Sequence, residues 1–142
     1  MSLQDKVAVI TGSTSGIGLG VAEELSRRGA TVVLNSFSDS EDDHALAARI
    51  REETGNEAVY IKADMSSGDE CRALVARTVE RFGKLDILVN NAGIQHVAKL
   101  EEFPTAKWDA IIAINLSSAF HTTAAALPHM REAGWGRVVN IA

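Results

Sequence analysis

Residues 11–18 read Thr-Gly-Ser-Thr-Ser-Gly-Ile-Gly, between the apolar run Val7-Ala8-Val9-Ile10 and a helical pattern that starts at Ile17. A strand, three closely spaced glycines and a helix make a loop suited to cradling phosphate. Gly12, Gly16 and Gly18 allow a sharp turn, close approach of a ligand to bare backbone, and tight helix-on-strand packing. The helix after the loop aims its unpaired N–H groups and the positive end of its dipole at an anion in the turn. The spacing is Gly-x-x-x-Gly-x-Gly rather than Gly-x-Gly-x-x-Gly, so the text of the motif is a weak signal and its setting carries the reading.

Outward from this loop, short Val/Ile/Leu-rich runs alternate with helix-length stretches. The alternation predicts βαβ units and an α/β fold: a Rossmann-type, doubly wound parallel sheet covered on both faces. Strands are expected near 6–11, 31–35, 57–62, 85–90 and 137–142, and helices near 16–28, 41–54, 68–82 and 105–132. Ser40 with Asp43, and Ser67 with Glu70, fit the capping box in which a hydroxyl and an acid three residues later satisfy free N–H groups. Gly29, Gly55, Gly83 and Gly134 stand where helices should stop. Pro128 is expected to kink the last helix or to begin its final turn after a local break.

The chain has 142 residues, enough for one domain that buries roughly two thirds of its unfolded surface. A net charge of −5 and no basic stripe argue against nucleic acid and membrane surfaces as partners. One cysteine, Cys71, permits no internal disulfide and reads as a small packing residue in a reducing compartment. The amino terminus lacks the layout of a signal peptide and no apolar run approaches 18 residues, so a soluble, cytoplasmic protein is expected. His44, His121 and His129 show no metal-ligand grouping, and no metal is expected.

The fourth strand runs into Asn90-Asn91-Ala92-Gly93. Ligands of open parallel sheets bind at the carboxyl ends of strands, where the strand order reverses, which places this tetrapeptide beside the glycine loop. Taken alone, Asp64 reads best as a carboxylate capping the turn before Ser66, and Asn115 as a buried carboxamide bonding a helix carbonyl.

Thr11-Gly12-x-x-x-Gly16-x-Gly18, Asp64, Asn90-Asn91-Ala92-Gly93 and Asn115, in this order and spacing, resemble the short-chain dehydrogenase/reductase family over essentially the whole chain. The resemblance implies that Thr11, Gly12, Ser15, Gly16, Ile17 and Gly18 seat the cofactor pyrophosphate and that Phe37 also meets the cofactor. It places Asp64 and Met65 near the adenine, and Asn91, Ala92 and Gly93 along the adenosine ribose. It makes Asn115 the residue that positions a water in a proton relay. Asn90 to His96, Phe103-Pro104-Thr105-x-Lys107-Trp108-Asp109 and Ala124 to Met130 further resemble the bacterial D-3-hydroxybutyrate dehydrogenases. There the residue matching Gln95 helps bind the substrate carboxylate, a role its amide N–H₂ can fill. His96 is expected at the pocket rim.

The cofactor expected is NAD: Ser36 stands where the family often carries an acid for the ribose 2′-hydroxyl, and residues 35–39 contain Asp39 but no Lys or Arg for a 2′-phosphate. A small hydroxy or keto acid is the expected substrate and a homo-oligomer, a tetramer, the expected assembly. Competing readings are a reductase of 3-oxoacyl thioesters or sugars, and a nucleotide-binding module without catalysis. The family's serine and Tyr-x-x-x-Lys cannot be assigned: the one tyrosine, Tyr60, is followed four residues later by Asp64. The chain is therefore expected to be the amino-terminal part of a longer protein, truncated after the fifth strand and inactive alone.

Overall fold

In a computed structural model, residues 2–142 are described. Five strands, β1 (Val7–Ile10), β2 (Thr31–Ser36), β3 (Ala58–Lys62), β4 (Ile87–Asn90) and β5 (Arg137–Asn140), form one parallel sheet in the order β3-β2-β1-β4-β5. The helices α1 (Gly16–Arg27), α2 (Glu41–Thr54) and α3 (Gly68–Phe82) come after the first three strands in turn. After β4 come a short 3₁₀ turn, Leu100–Glu102, and then α4 (Thr105–Ile112), a π-turn (Ala113–Ser117) and α5 (Ser118–Ala133) as one continuous helix. The chain builds outward through β2 and β3, then crosses back over β1 to lay down β4. The reversal point is the seam between β1 and β4, where such sheets bind ligands.

Strand residues alternate between two cores because the side-chain period of a strand is two. Ala8, Ile10, Val32, Leu34 and Tyr60 pack with Ala22, Ala47 and Ile50 of α1 and α2. Val9, Val33, Val59 and Leu88 pack on the other face with Leu74 and Val75 of α3 and Ala126 and Met130 of α5. A sheet buried on both faces explains why β1 reads as an unbroken apolar run. β5 lies at the edge and is largely exposed.

The helix ends follow the local chemistry with two corrections. Ser40 and Asp43 form the full reciprocal box at α2. At α3, Ser67 accepts the Glu70 N–H at 3.3 Å, but the Glu70 carboxylate turns away to take the Asp64 N–H at 3.1 Å, so that box is half formed. Gly55, Gly83 and Gly134 adopt the left-handed conformation that stops a helix. Pro128 produces no break: α5 runs through it, and the departure from α geometry is the π-turn upstream. The expectation about apolar runs is also corrected. Thr105–Ala133, 29 residues, is long and apolar enough by composition to cross a membrane, since Asn, Ser, Thr and His interrupt the central 110–127 without adding charge and Lys107, Asp109, Arg131 and Glu132 lie toward the ends. Here its line of Ser118, Thr122, Ala126 and Met130 is buried in the fold.

Backbone and hydroxyl donors from Ser40 and Ser38 hold the Asp43 carboxyl below its ordinary value of 3.8. A group with a depressed folded-state value stabilises the fold above its unfolded value, and this stabilisation is lost as pH falls through the folded value. Ser40→Ala should cost about 1 kcal/mol in urea unfolding at neutral pH. The same variant should show a shallower loss of stability on acidification below about pH 4 than the parent.

Candidate nucleotide-binding site

The seam between β1 and β4 is pinned by side chains. Thr11, 1% exposed at the end of β1, accepts the N–H groups of Asn91 (3.0 Å) and Ala92 (2.9 Å) on its hydroxyl oxygen. The Asn91 amide donates back to the Thr11 and Gly12 carbonyls at 3.1 and 2.9 Å. Asn35, also 1% exposed, ties the loop to the sheet beyond: its carbonyl oxygen takes the Gly12 N–H at 3.1 Å, and its amide donates to the Ile61 and Ala63 carbonyls at 3.2 Å each. Ser13 and Asn35 exchange two further bonds, Ser13 N–H to the Asn35 carbonyl (2.8 Å) and Asn35 N–H to the Ser13 hydroxyl (2.9 Å).

The glycines are required for different reasons. Gly12 has a φ of +59°, and a Cβ there would meet the Ala92 Cα at 2.9 Å. A Cβ on Gly18 would collide with the Asn91 amide and lie 2.6 Å from the Gly12 carbonyl oxygen. Gly16 also has a φ of +59° but faces open space, so conformation alone demands it.

These contacts surround an open cavity of about 420 Å³. Gly12, Ser15, Ile17 and Phe37, Asp64 and Met65, and Asn91, Ala92, Gly93 and Ile94 line it. Nine of the residues expected at the cofactor therefore meet at one cavity; Thr11, Gly16 and Gly18 do not line it, though Thr11 and Gly18 contact Asn91, which does. The start of α1 suits an anion. α2 and α3 each open with a serine cap and acidic residues in the first turn, whereas Ser15 makes no side-chain cap and the first turn of α1 has no acid. Its N–H groups and dipole are left for a group in the cavity. The bare glycine backbone, this uncapped helix and the apolar walls fit the two phosphates and the adenosine of a dinucleotide.

Asp64 combines a capping role with a place at the cavity. It lines the cavity, and one carboxylate oxygen takes the Ser66 N–H (2.9 Å) and hydroxyl (2.7 Å), which holds its pKa below 3.8. Asn115 is not buried. It lies in the π-turn and embraces the peptide of Ile94, accepting the Ile94 N–H and donating to the Ile94 carbonyl, both at 2.9 Å. Gln95 and His96 are exposed and do not line the cavity; His96 packs edge-on to Phe103. Asn35 is an anchor that the motifs do not single out, although a carboxamide closing an otherwise apolar strand is a signal for one. Cys71 is buried, and burial pushes its thiol up to about 11, in keeping with a packing role. No group of three or more metal-ligating side chains occurs among the described residues.

The family model described as short chain dehydrogenase matches residues 6–142. A D-beta-hydroxybutyrate dehydrogenase of Cupriavidus necator is 51% identical over 140 residues, 99% of this chain and 54% of that protein. The chain thus spans about half the length of this curated relative. Among solved structures, an NADH-dependent reductase A1-R′ complexed with NAD superposes with a TM-score of 0.89 at 38% identity, covering 97% of this chain and 59% of that one. A metagenomic short-chain oxidoreductase in complex with NADP gives 0.92 at 36% identity, covering 100% and 64%.

Replacing Thr11 by Val keeps the shape and strands two backbone N–H groups at the seam. The expected loss is about 2 kcal/mol of stability. Urea unfolding checks it, and an unchanged midpoint would contradict the pinning assigned to this hydroxyl.

Proposed function

Because the chain belongs to the short-chain dehydrogenase family, we propose that it supplies the cofactor-binding half of an NAD-dependent dehydrogenase that interconverts D-3-hydroxybutyrate and acetoacetate. The observation that carries the reading is the convergence of a glycine loop, an uncapped helix start and the Asn91–Gly93 segment on one cavity. The identity with a D-beta-hydroxybutyrate dehydrogenase supports the choice of substrate. When bound, the nicotinamide accepts or donates the hydride. The residues of this chain bind and orient. The loop from Gly12 to Gly18 and the N–H groups of α1 take the pyrophosphate, Asp64 and Met65 flank the adenine, and Asn91, Ala92 and Gly93 run along the ribose.

NAD is favoured over NADP by charge. Residues 35–43 carry Asp39, Glu41, Asp42 and Asp43 and no base, so a 2′-phosphate at the end of β2 would be repelled. The solved relatives hold both cofactors and do not decide between them. Asn115 is assigned to the water of the proton relay. Its carboxamide is occupied by Ile94, so the main chain of the π-turn would hold that water. The reaction also needs a proton donor beside the substrate oxygen. Tyr60 is buried in β3 with its hydroxyl on the Ser36 and Ser38 carbonyls and cannot serve. The role proposed for these residues is therefore cofactor binding, and no proton donor is assigned among them. The longer dehydrogenase is proposed to be a soluble, cytoplasmic tetramer, and Gln95 to reach the substrate carboxylate from the loop after Gly93.

In the full-length protein, D-3-hydroxybutyrate should reduce NAD at least about a hundredfold more efficiently than NADP, a difference of roughly 2.7 kcal/mol. Gln95→Ala should raise KM for hydroxybutyrate and leave KM for NAD alone. Equal use of the two cofactors would overturn the reading of β2's end, and an unchanged KM for hydroxybutyrate would remove Gln95 from the substrate site.

A further inference from the structure

The loop between β2 and α2 is fastened at nearly every residue. The Ser36 carbonyl accepts the Ala63 N–H at 3.0 Å and the Tyr60 hydroxyl at 3.1 Å. The Ser38 carbonyl accepts the same Tyr60 hydroxyl. The Ser38 hydroxyl donates to Asp43 at 2.9 Å, Asp39 pairs with the His44 ring nitrogen at 2.6 Å, and Ser40 closes the capping box. Phe37, between the two carbonyls held by Tyr60, offers no side-chain hydrogen bond. It is 75% exposed and lines the cavity. The Tyr60 ring is 7% exposed, packs in the core below α1 and α2, and meets the edge of His44 at 5.2 Å between centroids.

A phenol buried in a hydrophobic core is a poor way to fill space unless its O–H is used, because a buried hydroxyl without a partner costs free energy. Phenylalanine would fill the same volume. The O–H here spans two carbonyls two residues apart, which fixes the backbone on both sides of Phe37. An exposed aromatic ring on a mobile loop would lose rotational and backbone freedom on meeting a ligand; one already held gives up less.

We propose that Tyr60 is a positioning residue for cofactor binding: its hydroxyl holds the 36–38 backbone so that Phe37 stands as a preformed aromatic wall against the adenosine. This rests on the reading of the cavity as the dinucleotide seat and adds to it a residue outside the cavity. Burial and the nearby charges of Asp43 and Asp39 push the phenol's pKa up, which keeps the proton on the oxygen.

The test uses the full-length protein with Tyr60→Phe, Phe37→Ala and the double variant. Affinity is measured by calorimetry with NAD and with AMP, which carries only the adenosine end. Y60F leaves the ring in the core, and retained folding is verified by its thermal transition. Phe37→Ala should weaken NAD and AMP about tenfold and Y60F about fivefold, a scale set by one hydrogen bond's net worth. In the Phe37→Ala background, Y60F should weaken them no further, because the hydroxyl acts through that ring. KM for NAD should rise in Y60F while kcat and KM for the hydroxy acid hold. If Phe37→Ala weakens both ligands and Y60F neither, or if the two losses add in the double variant, the role assigned to Tyr60 is overturned and the cofactor seat stands. If Phe37→Ala also leaves both affinities unchanged, the adenosine end has been placed wrongly.

Discussion

The structure depends on joining β1 to β4, strands adjacent in space and some 80 residues apart in the chain. The seam is locked at both ends. At the amino end the buried Asp86 carboxylate accepts the Val7 N–H at 2.8 Å and pairs with Lys84 at 3.2 Å. At the carboxyl end the Thr11 hydroxyl and the Asn91 amide bind each other's backbones. Long-range pairing must offset loop-closure entropy before it returns any stability. Side-chain bonds at both ends of short four-residue strands supply what the few ladder bonds cannot. The cavity is a consequence of this lock, because it opens where β1 and β4 hand over to loops.

Much of this was legible because local chemistry and global fold agree. All five strands stand at the expected segments, with β2 one residue longer, and α2 and α3 match their expected bounds, since Ser40, Ser67, Gly55 and Gly83 mark those ends. The misreadings have physical causes. Glu70 matched a capping pattern in sequence, but the Asp64 N–H lay within its reach and offered a tertiary partner. Pro128 signalled a break, yet a proline missing one N–H can be carried by a long helix packed along one side. Asn35 and Tyr60 were the least visible. Each is a single polar residue in an apolar strand, and only three-dimensional placement tells which carbonyls it meets.

The π-turn shows how a helix can serve two tasks. A π-turn inserts an extra residue and so rotates the downstream half of the helix relative to the upstream half. α5 keeps Ser118, Thr122, Ala126 and Met130 in the interior, while upstream Asn115 reaches out to the peptide of Ile94. Asn115 thus fixes the loop after Gly93 by imitating a strand partner, accepting from its N–H and donating to its C=O. The opposite face leaves Trp108, Leu116 and Phe120 more than half exposed, an apolar surface on the outside of the same helix.

The two ends of the cavity are built unequally, and that asymmetry sets the division of labour. Around Gly12, Phe37 and the start of the Asn91 segment, backbone groups are held by side chains from other elements: Asn35, Tyr60, Thr11 and Asn91. Past Gly93 the walls are Ile94, held by one carboxamide and partly exposed, and Ile114, half-buried against the core. Rigid, satisfied networks suit binding, in which most of the cost is ordering the site. Hydride transfer requires a dry, enclosed site with a proton donor at the reacting oxygen. Residues 11–93 satisfy the first requirement. Among the described residues nothing encloses the second, which is why the role proposed for this chain is cofactor binding rather than the chemistry performed on the cofactor.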